Sequence, residues 1–255
     1  MDRKAWLGSL IVLVVFLSAW QWGPGMLGMP EFILPSLERV VVEFRRMAAD
    51  DLWMHSGITA LEIVVGFALG ALLGVVVGVA LGLSPSAEAI LSPYILALQI
   101  APKVAFAPLF VMWLGYTVYP KILVAILIVF FPIMVNVLSA IRTVDPDMIN
   151  LVRTLNGRRL QIFRLVEFPS AMPALFSGLR IGSTLAVIGV TVGELVGGNL
   201  GLGFLLVSSE GQGNTAAVFV TIIMLTLIGI VAYGAVVWAE RRVLHYLPKA
   251  QHATV

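Results

Sequence analysis

The sequence predicts an all-α polytopic membrane protein with about six transmembrane helices, and three observations carry that expectation. Hydrophobic residues make up 60% of the 255 positions and charged residues only 12%. The apolar residues gather into repeated runs of about 20, the length an α-helix needs to cross roughly 30 Å of hydrocarbon with its backbone hydrogen bonds satisfied internally. Between two of these runs lies a basic island, residues 141–173, holding Arg142, Arg153, Arg158, Arg159 and Arg164. A chain of this length has room for about five to seven spans and little for a soluble domain. Cysteine is absent, which excludes disulfides, thiolate metal sites and cysteine catalysis.

The spans are expected at 5–22, 57–83, 89–114, 119–140, 174–196 and 215–238. The first follows Asp2, Arg3 and Lys4 and ends at Trp20, Gln21 and Trp22, which are poor residues for signal-peptide cleavage. It therefore reads as a retained span with aromatic anchors. Residues 35–51 place Leu37, Val40, Val41, Phe44 and Met47 at helical spacing among charges, an amphipathic connector helix on the outer surface or against the bundle. The second span carries Gly66, Gly70, Gly74, Gly78 and Gly82 at four-residue intervals. Such a stripe admits a neighbouring backbone, either within the chain or from a second copy. The third span contains Pro102 and Pro108, each of which removes a helix hydrogen bond, so a kink or break at mid-membrane and a polar cavity beside it are expected.

Lysine and arginine counts set the orientation. With the N-terminus inside, the cytoplasmic segments hold Arg3, Lys4, the five island arginines, Arg241, Arg242 and Lys249. The outer segments hold Arg39, Arg45, Arg46 and Lys121, so both termini are expected in the cytoplasm. Glu62, Lys103, Arg180 and Glu194 fall within or near the ends of spans, where an unpaired charge costs at least a few kcal/mol. Arg180 can snorkel. Lys103 calls for Glu62, Glu194 or a water-filled cavity. Glu194 precedes Gly197, Gly198, Gly201 and Gly203, a bent outer re-entry that the carboxylate would brace by accepting backbone N–H bonds.

No Gly-rich loop ends in Gly-Lys-Ser/Thr, so the usual phosphate cradle is absent from the sequence. His55, His245 and His252 form no ligand cluster, and no His/Asp/Glu constellation marks an enzyme. A self-sufficient secondary transporter or channel would call for paired ionisable residues along the spans and usually an internal repeat, and neither stands out.

The island supplies a resemblance. Asn150, Leu151 and Val152 stand where permease subunits of bacterial ABC importers carry Glu-Ala-Ala; Asn156 stands at their glycine, three residues on. After nine more residues come Val166, Glu167, Phe168 and Pro169, at the Ile-x-Leu-Pro ending. Gly178 and Arg180 open the next span; Glu194, Leu195, Gly201, Leu202 and Gly203 follow it. Pro102, Ala105, Pro108, Leu109, Trp113 and Gly115 match in the third span. From about residue 30 onward the chain resembles the nitrate/sulfonate/taurine branch of these permeases, implying the type I ABC importer (MetI-like) permease fold. The departures are Leu151, Val152 and Asn156 at small-residue positions, Asn150 at an acidic one, Lys103 at an apolar one and Glu62 at a basic one.

The resemblance implies a permease subunit forming a gated pathway for a small polar or anionic solute, in a bacterial inner membrane. It divides the chain into a first span with its outer amphipathic segment (1–56), a permease core (57–243) with a coupling loop at about 142–172, and a cytoplasmic tail (244–255). Coupling falls to Asn150, Leu151, Val152, Arg153, Leu155, Asn156, Gly157 and Pro169. Met148, Leu151, Val152 and Leu155 form the apolar docking face, Arg153, Arg158 and Arg159 meet acids on the ATPase, and Pro169 and Pro173 bound the loop. Pathway and gate fall to Pro102, Lys103, Pro108, Glu194, Gly201 and Gly203. Implied partners are two ATP-binding subunits, a second permease (the same chain or a different one), an extracytoplasmic substrate-binding protein and membrane lipid, with no nucleic acid. ATP and Mg would belong to the ATPase subunits and no cofactor to this chain.

Overall fold

The computed structural model describes residues 3–245, with side chains from Trp6. The side chains of Arg3 and Lys4, together with Lys249, His252 and the tail beyond His245, lie outside the described residues. The chain runs through α1 (Arg3–Met26), α2 (Leu37–Ala48), α3 (Leu52–Gly82), α4 (Pro85–Ile100), a 3₁₀ turn (Lys103–Phe106), α5 (Ala107–Leu114) and α6 (Val118–Arg142). It continues through α7 (Pro146–Thr154), α8 (Arg159–Ile162), a π-helical stretch (Phe163–Glu167), α9 (Phe168–Gly197), α10 (Leu202–Gly211) and α11 (Thr215–Val243). All the regular elements among the described residues are thus helical, as the composition predicts. Two compact units emerge: the chain up to Thr59 with Asn199–Thr226, and Ala60–Gly198 with the chain from Leu227.

In the second unit α6 is gripped on two sides by glycines. A Cβ added to Gly66 would lie 2.6 Å from Ala125 Cβ, and one on Gly82 would lie 2.9 Å from Ile141 Cβ. Gly70, Gly74 and Gly78 meet Val129, Ile133 and Val137 in the same register. The five-glycine stripe is therefore used for close packing inside the chain. From α9, added Cβ atoms on Gly189 and Gly193 would reach to 2.7 Å from Ala125 Cα and 2.6 Å from Lys121 Cα. Gly178 and Gly182 face Ile133. Absent side chains bring backbones together where lipid, as apolar as leucine, offers little drive for association. The core between them is Ile63, Ala125, Val129, Ile133, Val137, Ile141, Ala171, Ala186 and Val190.

These pairings fix direction. Rising numbers on α3 meet rising numbers on α6, so the two helices are parallel; α9 meets α6 with falling numbers and is antiparallel. The segment between α3 and α6 must therefore carry the chain back across. Pro85–Ile100 and Lys103–Leu114, bent by 79° between them, supply roughly 40 Å of helix for that return. Among the described residues five helices are long and apolar enough to cross a membrane, and the bent pair counted as one span makes six. Pro102 lies at the break, as the start residue of the 3₁₀ turn, whereas Pro108 sits in the first turn of α5, where its missing N–H costs nothing.

The fifth span departs from expectation. Helical structure runs unbroken over Arg159–Gly197, 39 residues, through both Pro169 and Pro173. Pro169 lies in the first turn of α9, directly after a π stretch whose shifted bonding has no use for its N–H. The prolines thus do not bound a loop; the span extends through them toward α7. In the first unit, α2 is capped by Ser36, whose hydroxyl accepts from Arg39 N, and is tied to α1 through Trp20 Nε1 donating to Pro35 O at 3.0 Å.

Candidate functional site

Two groups of residues draw attention in the second unit. The first is α7, nine residues between the ends of α6 and α8. Its start is capped by Asp145, whose side chain accepts from Asp147 N at 2.9 Å, and Pro146 opens the first turn. Its end is a Schellman closure: Gly157 N donates to Val152 O at 2.9 Å and Asn156 N donates to Arg153 O at 2.9 Å. Asn156 has φ +58, the left-handed conformation that favours glycine and, after it, asparagine. The departure at the family's glycine is therefore the one other residue that closes the same turn at little cost. A Cβ on Gly157 would lie 2.5 Å from Val152 Cγ1 and 2.7 Å from Val152 O, so the next position is restricted to glycine.

The helix presents Met148, Leu151 and Leu155 on one side, with Leu151 62% and Leu155 76% exposed. Val152 is half-buried and faces Gly157, so it belongs to the closure rather than to the exposed face. Asn150 and Arg153 are exposed beside it. Arg159 is engaged within the chain, its Nη1 3.2 Å from Glu167 Oε1, and Arg142 is held by Glu88 at 2.5 Å. Arg153, Arg158 and Arg164 remain as exposed cations of the island.

The second group surrounds the break between α4 and α5. Lys103 Nζ donates to Gln99 O at 2.6 Å and stands 4.8 Å from the Phe131 ring centre. It lines a cavity of about 390 Å³ with Gln99, Val104, Ile128, Phe131, Pro132, Leu185 and Ile188. Glu62, one of its two expected partners, is paired elsewhere: Lys121 Nζ donates to Glu62 Oε1 at 2.8 Å, both side chains being at most 4% exposed. Lys121 thus lies buried in the first turn of α6 instead of in an outer aqueous segment. Glu194 is buried in α9, and Arg180 Nε donates to Glu240 Oε2 at 2.6 Å.

The first unit holds the glycine bend. Gly201 has φ +108 and begins α10, in which Gly203 is buried. Its amide donates to His55 Nδ1 at 2.8 Å and the next, Leu202 N, to Thr59 Oγ1 at 2.8 Å. Accepting at Nδ1 makes His55 the Nε2–H tautomer, which matches Asp51 Oδ2 lying 3.2 Å from Nε2. The sequence reading missed His55 and Thr59; their one signal was a histidine and a threonine four apart, on one face at the start of a span. Lys121 was missed because a lysine close to a span's end reads as aqueous.

Comparison with known proteins converges on one family. The family described as binding-protein-dependent transport system inner membrane component matches residues 70–245. The riboflavin transport system permease protein RibX of Chloroflexus aurantiacus is 38% identical over 249 residues, 96% of this chain and 93% of that one. The formylaminopyrimidine transport permease protein ThiX of Halalkalibacterium halodurans is 31% identical over 95% of this chain and 97% of its own. A putative aliphatic sulfonates transport permease protein, SsuC of Escherichia coli, is 32% identical over 96% and 95%.

Proposed function

Since the chain belongs to the family of binding-protein-dependent transport system inner membrane components, a multi-pass permease subunit that itself catalyses no chemistry and works with an ATPase and a binding protein, we propose that it forms the gated translocation pathway of an importer and takes its drive through α7. Two copies line one pathway, each seating α7 in a groove of one of two ATPase subunits that hold ATP and Mg. Asn150, Leu151, Arg153 and Leu155 make the contact; Val152, Asn156 and Gly157 hold its shape, and Pro169 begins the helix that carries the motion onward. Both termini lie in the cytoplasm, in keeping with the bias of the arginines. Lys103, at the break beside Pro102, faces the solute, with Pro108 in the helix that follows; Glu194 is assigned a gating role at the end of α9, and Gly201 and Gly203, separately, one at the start of α10.

The observation that carries this reading is α7 itself: a helix capped at both ends that leaves Leu151 and Leu155 largely exposed beside basic neighbours. Burying two leucines against a partner contributes roughly 3–6 kcal/mol before the losses of association. The solute is small and polar or anionic, a reading supported by Lys103 and by the riboflavin, formylaminopyrimidine and sulfonate permeases among the relatives. Native mass spectrometry of the complex captured through a tag on this chain tests the assembly. Two permeases with two ATPases are expected; the L151D/L155D variant should leave the chain in the membrane without its ATPase. Retention of the ATPase by that variant would falsify the coupling role.

A further inference from the structure

A second cavity lies on the other side of α9 from Lys103. It is a slot of about 350 Å³ lined by Val64, Phe67 and Ala68 of α3, Phe176, Leu179 and Ser183 of α9, and Ala232, Ala235, Val236 and Ala239 of α11. At about 100° per residue, the α9 side chains that face the slot point away from Leu185 and Ile188, which face the Lys103 cavity. Four alanines and a 63% exposed Val64 at the rim leave it open sideways, toward where lipid would lie. The α11 residues lining it follow one helical face, and Arg242 continues that face three residues beyond Ala239, roughly 4.5 Å along the axis. Arg242 Cζ is held 5.2 Å from the Trp238 ring centre, whereas Arg241, also exposed, falls on the opposite face of α11 at about 100° per residue. The neighbouring acid, Glu240, is taken by Arg180, so it neutralises neither arginine.

We propose that this slot and Arg242 form a binding site for one anionic phospholipid, with an acyl chain between α3, α9 and α11 and the phosphate on the Arg242 guanidinium. The slot is apolar, which suits a hydrocarbon chain. Its mouth carries the Arg242 charge and an exposed tryptophan, which suit an anionic headgroup at the membrane surface. A zwitterionic lipid would fill the slot equally well but gain less at the mouth.

The test measures phosphatidylglycerol and phosphatidylcholine, matched in chain length, on the purified full-length permease with the subunits that accompany it. Native mass spectrometry reads the bound lipid, and melting temperature against lipid concentration gives apparent affinity. Phosphatidylglycerol is expected to bind roughly fivefold more tightly, at about tenfold per 1.4 kcal/mol and about 1 kcal/mol for the one arginine. R242Q should reduce that ratio to about one while R241Q leaves it unchanged, and A235F, which fills the slot, should remove the retained lipid. Equal binding of the two lipids by the unaltered protein overturns the proposal. So does undiminished phosphatidylglycerol on A235F, or a loss of permease–permease association in that variant, which would assign the slot to a second copy of this chain. If A235F does not accumulate, R242Q alone decides: an unchanged preference refutes the headgroup site.

Discussion

Replacing Lys121 with methionine should destabilise the protein far more than replacing Lys121 and Glu62 together. Lys121 Nζ donates to Glu62 Oε1 at 2.8 Å, and Glu62 Oε2 is buried without a hydrogen-bond partner. K121M therefore takes the salt-bridge partner from a carboxylate that is 3% exposed. Breaking a buried pair from one side costs about 3–5 kcal/mol, because the remaining charge must stay uncompensated or be neutralised. In the double variant E62L/K121M neither charge remains, and apolar replacements of similar volume are often neutral or stabilising by about 1–4 kcal/mol. The coupling between the two sites should then be at least about 3 kcal/mol, well above the scatter of independent sites. Unfolding by sodium dodecyl sulfate in mixed micelles, followed by circular dichroism for the unaltered chain, K121M, E62L and E62L/K121M, measures it. The reasoning fails if K121M lies within about 0.5 kcal/mol of the unaltered chain, or if the double variant is as unstable as K121M.

Four further outcomes are expected. Asn156→Gly should keep ATPase association, whereas Asn156→Val, forced into the left-handed region, should cost about 1–2 kcal/mol locally and weaken co-purification of the ATPase. Gly189→Leu should prevent accumulation of folded protein in the membrane, since even a Cβ there would lie 2.7 Å from Ala125 Cα; fluorescence-detected size-exclusion chromatography reads this. Lys103→Met should lower transport of an anionic solute by tenfold or more with little change in unfolding, as judged by uptake in proteoliposomes; loss of stability in step with transport would remove the solute-facing role. Glu43 is held below the ordinary carboxylate range first by its hydrogen bonds from Arg46, with a further one from Asn214 at 2.8 Å. A lowered carboxylate stabilises the folded state above its ordinary pKa and loses that contribution as pH falls through the folded value. The protection of the Ala217 amide, whose N–H is capped by Asn214, relative to its intrinsic exchange rate should therefore fall below about pH 4.5 in the unaltered chain and much less in E43Q.

Hydrophobic runs made the crossings legible, and Pro102 located the break in the third, because a missing N–H acts within one helix. Partners across helices were not legible. Glu62 and Lys121 lie 59 positions apart and meet only because α3 and α6 are parallel and in register, which no local pattern reveals. The glycine stripe showed that some helix comes close, and its own spacing left the identity open; Ala125, Val129 and Ile133 on α6 resolve it. Asn156 stood out as a departure from the coupling motif, and its backbone angle supplies the reason. The run through Pro169 and Pro173 was hidden because proline usually ends helices, and the preceding π stretch is invisible in sequence.

The double grip on α6 also decides what kind of motion the permease is allowed. Ridges set four residues apart on α6 sit in glycine notches on α3 and α9, so neither neighbour can creep along it by a fraction of a turn. Slippage would require a jump of about 5.4 Å, one full pitch, past side chains with nowhere to go. The three helices behave as one splined shaft. If α7 is where a partner pulls, as proposed above, such packing favours movement of the three helices as one body over sliding between them. The break at Pro102, where the chain has already given up its helical bonds, lies outside that grip.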